Sequence, residues 1–280
     1  MARAQAEASR LVESGGAATP GYGALALRLV VAAIYLFLLG PILIVVVTSF
    51  DPTSAGAFPP KGISLRWYGE FFKSDSFLAA FRFSLQLGLL AASIATAIGI
   101  ATSYALVRHF GRRREIGQTL VMLPAVVPQI IISISLLLAL SFVPFPEFGT
   151  LLAGHIVICL PFAIAGITAS LDGVDAELEA AAMTLGAPRW RVLAEIVVPL
   201  VAPGIISAFI FAFIVSFGDA YIALFLSGPG MTTLPIEIFS YIQWESSPVV
   251  AAITSVQILL ILVLGLVVER LVGLRKVMRF

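Results

Sequence analysis

The sequence predicts an all-α integral membrane protein with six transmembrane helices, and two observations carry this prediction. Of the 280 residues, 60% are hydrophobic and only 12% are charged, and the mean hydropathy is +1.05. A soluble domain carries about 25% charged residues, so this composition excludes an ordinary soluble protein. The apolar residues are also grouped into long uncharged runs, each able to cross about 30 Å of hydrocarbon as a helix.

The predicted spans follow one another along the chain with short polar connections. They cover residues 29–50, 83–107, 116–146, 150–171, 201–226 and 248–268. The third includes a short proline-rich connection, and the fifth is interrupted at Gly218 and Asp219. The predicted organisation is therefore a cytoplasmic tail over residues 1–24, one six-span domain over residues 25–272, and a basic cytoplasmic tail over residues 273–280.

The distribution of Lys and Arg predicts the orientation of the chain. With six spans, both termini lie on one side of the membrane, and that side holds thirteen of the 17 Lys and Arg residues. The other four are Lys61, Arg66, Lys73 and Arg82. Basic residues remain on the cytoplasmic side, so both termini and the segment 172–199 are expected to be cytoplasmic.

The sequence offers no site for catalysis. It contains no Gly-x-x-x-x-Gly-Lys-Ser/Thr motif to hold the phosphates of ATP. It has no His or Cys pair at metal-ligand spacing and no nucleophile beside a general base. The single cysteine, Cys159, lies within an apolar run, which excludes an internal disulfide framework. We therefore expect no enzyme activity, no metal and no cofactor in this chain.

The segment 172–199 is the long polar interruption in the second half of the chain. Acidic residues crowd its start, where they favour the positive end of a helix dipole. Leu178 and Leu185 then recur at helical spacing, and Gly186 is expected to end this helix with a positive φ. The pattern predicts a short amphipathic helix followed by a glycine hinge.

A second short helix is predicted directly after that glycine. Pro188 can open it at the first turn, and Trp190, Leu193 and Val197 are expected on one side. Pro199 is expected to end it, because proline lacks the N–H that a helix interior needs. The segment is thus predicted to be a helix–glycine–helix unit held between two spans.

These residues resemble the "EAA" loop of ABC-importer permeases. That signature reads Glu-Ala-Ala, three residues, Gly, nine residues, Ile, one residue, Leu-Pro; the residues that match it here are Ala181, Ala182, Gly186, Ile196 and Pro199. Ala180 stands where the signature has Glu and Val198 where it has Leu. Glu179, one residue earlier, is the candidate for the missing carboxylate.

The resemblance extends over about residues 25–270, where the chain is similar to spermidine/putrescine-type permeases. The motifs that carry it are LRWY at 65–68, PAVVPQI at 124–130, CLPF at 159–162 and SGP at 227–229. It implies the type I importer fold, with a second permease, a dimeric ATPase and a solute-binding protein as partners, and with ATP and Mg in the ATPase. Membrane lipid, and no nucleic acid, is expected around the chain.

In that family the loop is a coupling helix that docks on the ATPase. Carried onto this sequence, the resemblance implies that the coupling residues are Glu179, Ala181, Ala182, Gly186, Ala187, Trp190 and Arg191. The implied location is the bacterial cytoplasmic (inner) membrane.

Three polar residues within the spans are candidates for a solute path: Asp219, Gln129 and Gln86. A carboxylate in the bilayer costs at least about 2.5–3.5 kcal/mol by insertion scales, so such residues usually face a cavity or a partner. The alternative for Asp219 is an interfacial position or an ion pair with Arg82. Helix–helix hydrogen bonding explains the two glutamines equally well.

The function expected from the resemblance is import of a small amine-bearing solute such as putrescine or spermidine. An opine, aminoethylphosphonate or γ-aminobutyrate remains an alternative within the same class, because the resemblance to polyamine-type permeases implies an acid at the place where Gln129 stands. A secondary transporter or channel subunit is the alternative from another class. It would show ionisable relays or matching broken helices, and the sequence has neither.

Overall fold

In a computed structural model of the chain, residues 22–54, 56, 58–143, 145–245 and 247–272 are described. Within these ranges the regular secondary structure is helical and contains no strand. The predicted tail over residues 273–280 lies outside the described residues. So do residues 1–21 of the predicted tail over residues 1–24. Residues 22–24 already belong to the first helix.

The long helices and their connecting helices follow the order that the sequence predicts. They are α1 (Tyr22–Thr48), α2 (Arg66–Lys73), α3 (Asp75–Arg108), α4 (Arg114–Val126), α5 (Gln129–Ser141), α6 (Glu147–Asp172), α7 (Ala176–Thr184), α8 (Arg189–Val192), α9 (Val198–Phe217), α10 (Tyr221–Leu226), α11 (Leu234–Trp244) and α12 (Val249–Val272). A 3₁₀ turn (Gly111–Arg113) precedes α4, and a π-helical turn (Leu193–Val197) joins α8 to α9.

The six predicted spans correspond to five long helices and one bent pair. Among the described residues, the helices long and apolar enough to cross a membrane are Gly23–Thr48, Asp75–Arg108, Glu147–Asp172, Arg189–Phe217 and Val249–Arg270. Helices α4 and α5, with 13 residues each, are too short to be counted singly and qualify only as a pair. The prediction of an all-α, six-span membrane protein is confirmed.

The third span differs from the prediction of one span with a proline-rich connection at its end. It consists of two helices, α4 and α5, that meet at an angle of 96°. Pro128 is the cause: a residue before proline is pushed out of the α region, and Val127 has ψ 133°. Pro128 itself has ψ 129° and precedes the first residue of α5.

The prediction that Pro199 ends the second loop helix is wrong. Helix α8 continues through the π-helical turn into α9, which ends at Phe217 and contains Pro199 in its first turn. A proline in a helix clashes with the carbonyl four residues earlier, here that of Glu195. Glu195 lies in the π-helical turn, and such widened turns are one way in which a helix accommodates an interruption without ending.

Helices α3, α6 and α9 form the core of the protein. Small residues line their contacts: a methyl group on Gly99 of α3 would lie 3.3 Å from Cβ of Ala163 in α6, and one on Gly166 of α6 would lie 3.1 Å from Cβ of Ala208 in α9. Such residues let helix backbones approach closely in a membrane. Ser103 Oγ of α3 also donates a 3.1 Å hydrogen bond to the Ile164 carbonyl of α6.

Candidate coupling surface and solute path

The helix–glycine–helix unit is formed as the sequence predicts. Asp175 caps α7 by accepting a 2.9 Å hydrogen bond from the Glu177 N–H. At the other end, Gly186 has φ +91°. The Gly186 N–H bonds the Met183 carbonyl at 3.0 Å and the Ala187 N–H bonds the Ala182 carbonyl at 3.1 Å. This bond pair is the Schellman motif, which requires a left-handed residue at the glycine.

The unit presents large apolar side chains to its surroundings. Leu185 is 89% exposed and Trp190 is 68% exposed, on either side of Gly186. Leu178 and Met183 of α7 are also exposed. We call these four side chains the apolar knob. Large apolar side chains exposed on the charged side of a membrane protein are typical of a protein–protein contact.

The predicted coupling residues divide into three groups in the structure. Ala181, Gly186, Trp190 and Arg191 are exposed, while Ala182 and Ala187 are half-buried. The half-buried alanines pack on a small core of Leu171, Val192, Val197 and Val201. Glu179 differs from the rest, because it is 5% exposed and faces the interior of the chain.

The carboxylate of Glu179 is engaged within this chain. Its Oε1 accepts a 2.7 Å hydrogen bond from Arg108 Nε, and its Oε2 accepts a 2.8 Å bond from the Tyr104 hydroxyl. Arg108 Nη2 also donates to the Val174 carbonyl at 2.9 Å. Glu179 therefore does not stand in for the missing signature Glu on the exposed face. It lies one position from that place, and 100° of rotation per helical residue turns it inward.

The sequence predicted that one side of the second loop helix carries Trp190, Leu193 and Val197. This prediction is wrong. Trp190 is exposed, Leu193 is half-buried and Val197 is 2% exposed. The π-helical turn begins at Leu193 and has more residues per turn than an α-helix. The α-helical spacing used for the prediction therefore does not hold across it.

Asp219 occupies the break between α9 and α10. It is 5% exposed, and its Oδ2 accepts hydrogen bonds from the N–H groups of Ile222 at 2.8 Å and Ala223 at 3.4 Å. Its Oδ1 is buried and has no hydrogen-bond partner among the described residues. The carboxylate thus caps α10 and retains one unused acceptor.

The ion pair between Asp219 and Arg82 is not formed. Arg82 is exposed, and the salt bridges of the described residues do not include this pair. Gln129 is the first residue of α5, half-buried directly after the bend at Pro128. Gln86 is exposed on α3. The structure therefore places the three candidates on different elements: a buried cap, a bend and an exposed helix face.

A further buried polar group, which was not singled out from the sequence, bonds Ser216 of α9, three residues before Asp219 in the chain. His155 of α6, which is 0% exposed, shares a 2.8 Å hydrogen bond through Nδ1 with Ser216 Oγ. Its Nε2 is buried and finds no hydrogen-bond partner within the part of the chain that the structure describes. Its partner Ser216 is 61 residues away in the chain, so no local sequence pattern signals this contact.

Comparison with known proteins identifies the family. The model for "Binding-protein-dependent transport system inner membrane component" matches residues 93–275. The chain belongs to this family. It is therefore the membrane-spanning permease subunit of an ABC importer, and ATP hydrolysis in such importers resides in a separate subunit. The alternative of a secondary transporter or channel subunit is not supported.

Curated relatives of the permease cover most of its length. The spermidine/putrescine transport system permease protein PotC of Escherichia coli K12 is 32% identical, over 83% of this chain and 88% of its own. The putrescine transport system permease protein PotI of the same strain is 34% identical, over 79% and 81%. A putative 2-aminoethylphosphonate permease, PhnV, of Salmonella paratyphi A is 28% identical, over 82% and 88%.

A solved structure confirms the fold. A bacterial alginate ABC transporter in complex with a pentasaccharide-bound periplasmic protein matches with a TM-score of 0.67, covering 91% of this permease and 95% of the matched chain at 16% identity. At this identity the likeness concerns the fold alone. It supports the type I importer permease architecture predicted from the resemblance.

Proposed function

We propose that this permease pairs with a second permease in a bacterial inner membrane, where the two line the path of a small amine-bearing solute of the polyamine class. A dimeric ATPase carrying ATP and Mg powers the pair from the cytoplasm. A solute-binding protein delivers the solute from outside. The exposed apolar knob, on the side of the membrane richest in Lys and Arg, is the observation that carries the proposal.

The knob has the properties of a rigid docking element. Its two helices are fixed relative to each other by the Schellman motif at Gly186, and Ala182 and Ala187 pack on the small core that contains Val192 and Val197. A few side chains at the centre of a contact, most often Trp, Tyr and Arg, supply most of its binding energy, and an exposed large aliphatic side chain beside them adds apolar area that is buried on docking. Trp190 and Leu185 are therefore the anchors that we propose for a groove on the ATPase.

The transport cycle follows from this docking. ATP closes the ATPase dimer, and the docked helix–glycine–helix units of the two permeases approach each other. The permease pair then opens outward to receive the solute. Hydrolysis and release of the products reverse the movement. The residues of this chain act in the cycle by transmitting displacement, not by chemistry.

The polyamine class is supported by PotC and PotI, which are both named as polyamine permeases. Asp219 supports it through charge, since a carboxylate attracts a protonated amine. In this structure the carboxylate is covered, so contact with a solute requires the break between α9 and α10 to open. The amide of Gln129 gives weaker attraction than an acid at the same place, and PhnV keeps aminoethylphosphonate as the second candidate.

The docking surface is tested by co-purification of the partner ATPase with variants of the knob. Trp190→Ala combined with Leu185→Ser removes both anchors without burying any new polar group, because both side chains are exposed. We expect the permease to accumulate normally and to lose the ATPase. Leu36→Ser on α1, a 69% exposed leucine in a membrane span, is the matched control and retains it. Full retention of the ATPase by the double variant would show that the ATPase docks elsewhere.

The solute is tested separately, with the isolated binding protein of the same importer. Titration calorimetry with putrescine, spermidine, 2-aminoethylphosphonate and γ-aminobutyrate ranks the candidates directly. We expect the two polyamines to bind most tightly. Retention of 2-aminoethylphosphonate in preference to putrescine would replace the polyamine class and leave the docking proposal unaffected.

A further inference from the structure

The helix–glycine–helix unit, made of α7, Gly186 and α8, is called the coupling unit below. It is joined to two of the three core helices through the chain itself. Helix α6 leads into α7 through Gly173, Val174 and Asp175, and α8 runs through the π-helical turn into α9. The third core helix, α3, ends at Arg108 and has no chain connection to the unit. Arg108 and Tyr104, in its last two turns, hold the Glu179 carboxylate of α7 instead.

Burial distinguishes this contact from the other Arg–Glu pairs. The side chains of Arg108 and Glu179 are 16% and 6% exposed, whereas those of Arg66 and Glu70 are 61% and 43% exposed. An exposed pair contributes little because water and salt screen it. Removing one partner of a buried, multiply hydrogen-bonded pair strongly destabilises a protein, because the charge of the other partner is left buried and uncompensated.

Helix α7 depends on this contact for its position. Glu179 is the one buried residue among its nine. The large apolar side chains of α7, including Leu178 and Met183, are exposed, and Ala182 is the residue through which it reaches the small apolar core. Apolar packing therefore does little to hold α7 on the body of the protein. Instead, the hydrogen bonds and the ion pair of Glu179 with Tyr104 and Arg108 hold α7 from its inner side.

We propose that Tyr104, Arg108 and Glu179, together with the Val174 carbonyl, form a brace that transmits displacement of the coupling unit to α3. This inference rests on the proposed docking of the knob on the ATPase. With the brace in place, α7 moves with α3, α6 and α9 as one body. Without it, α7 can turn about Gly173 and Gly186, and movement of the ATPase is absorbed in the loop. Glu179 and Arg108 are positioning residues and do not contact the ATPase.

The proposal is tested with the complete importer in proteoliposomes, by measuring putrescine uptake and ATP hydrolysis on the same sample. For Glu179→Gln and for Arg108→Gln we expect putrescine transported per ATP to fall at least about fivefold, with ATP turnover within about twofold of the wild type. The ATPase remains bound, because the knob is unchanged. Glu70→Gln, which breaks an exposed Arg–Glu pair, leaves the ratio unaltered.

The two single variants also distinguish the brace from direct contact. If Glu179 touched the ATPase, Glu179→Gln alone would uncouple and Arg108→Gln would not, which overturns the proposal. The double variant Arg108→Gln with Glu179→Gln should be no worse than the more damaging single one, because both remove the same contact. Losses that multiply in the double variant would show independent roles and also overturn it.

The double variant also covers the case in which the single ones do not fold. It leaves no lone buried charge, and two amides can still share a hydrogen bond, so it is expected to assemble where the single variants do not. A lowered transport ratio in the assembled double variant supports the brace. A wild-type ratio overturns it. Loss of the ATPase from the knob variants, seen together with a wild-type ratio here, would leave the docking proposal standing.

A second measurement needs no solute. Spin labels at Ala176 of α7 and Ser93 of α3, both exposed, report the distance between the two helices in a Cys159→Ser background. A braced unit keeps one narrow distance in the nucleotide-free and vanadate-trapped importer. Glu179→Gln should broaden or shift it in the trapped state. A distance that changes equally in the wild type and the variant would show that α7 and α3 do not move together.

Discussion

Gly204 of α9 lies so close to Ser170 of α6 that a methyl group on the glycine would be 2.3 Å from Cβ of the serine. The contact joins two core helices one turn from the point where α6 leads into the coupling unit. No rotation of the serine relieves the overlap, because Cβ is fixed by the backbone. The close approach of the two helices therefore depends on the absence of a side chain at position 204.

This relationship predicts that Gly204→Ala destabilises the permease. Overpacking a close contact costs about 1–3 kcal/mol, and thermal unfolding of the purified protein measures the loss. Gly40→Ala is the control, since no atom of the described residues lies within 4 Å of the methyl group it adds to α1. Adding Ser170→Gly to Gly204→Ala should recover part of the stability. No loss in Gly204→Ala would mean that the helices separate at little cost.

The positive φ of Gly186 predicts that Gly186→Val uncouples the importer. The left-handed region costs a residue with a side chain about 1–2 kcal/mol, and a β-branched residue resists it most. We expect normal insertion but loss of putrescine uptake and of solute-stimulated ATP hydrolysis in the reconstituted importer. Gly173→Ala is the matched control, a glycine of the same loop with φ −80°. Wild-type transport by Gly186→Val would show that the helix–helix angle is unimportant.

The two hydrogen bonds of Asp219 predict different outcomes for Asn and Ala at that position. Asp219→Asn keeps an oxygen for the Ile222 N–H but removes the charge, so we expect normal accumulation and slower putrescine uptake. Asp219→Ala leaves buried N–H groups unpaired, at a cost of about 1–3 kcal/mol, and should also lower accumulation. The binding protein keeps its affinity in both cases. Wild-type uptake by Asp219→Asn would limit Asp219 to capping α10.

The distribution of Lys and Arg predicts a labelling pattern for a membrane-impermeant thiol reagent. Leu185→Cys is exposed but cytoplasmic in the predicted topology, so intact cells should protect it until they are permeabilised. Ser54→Cys, exposed in the first external loop, should be labelled at once. The native Cys159 is 0% exposed and gives the background. Labelling of position 185 in intact cells would reverse the topology.

Most of the fold was predictable because it depends on local properties of the chain. Uncharged runs of about 20 residues can satisfy their backbone only as helices in lipid, and the predicted spans appear at the expected places. The end of α7 at Gly186 was also predictable, since a positive φ strongly favours glycine. The break at Gly218 and Asp219 followed from the same kind of local pattern.

The bend in the third span and the continuity through Pro199 were not predictable in the same way. Proline is a local signal with several possible outcomes, among them a helix end, a kink and a first-turn position. At Pro128 the third span is divided into α4 and α5, which meet at 96°. Pro199, in contrast, lies within a continuous helical segment that begins at Arg189. Packing against neighbouring helices selects between these outcomes, and no short stretch of sequence contains that information.

By itself the sequence determined that this protein is a six-span helical permease with a helix–glycine–helix unit on its basic side. Only the tertiary structure decided that Glu179 faces inward, because its partners Tyr104 and Arg108 lie 75 and 71 residues away in the chain. The same holds for the burial of Asp219 and the absence of its ion pair with Arg82. Helical periodicity specifies which residues share a face, but the direction of that face is set by what packs against it.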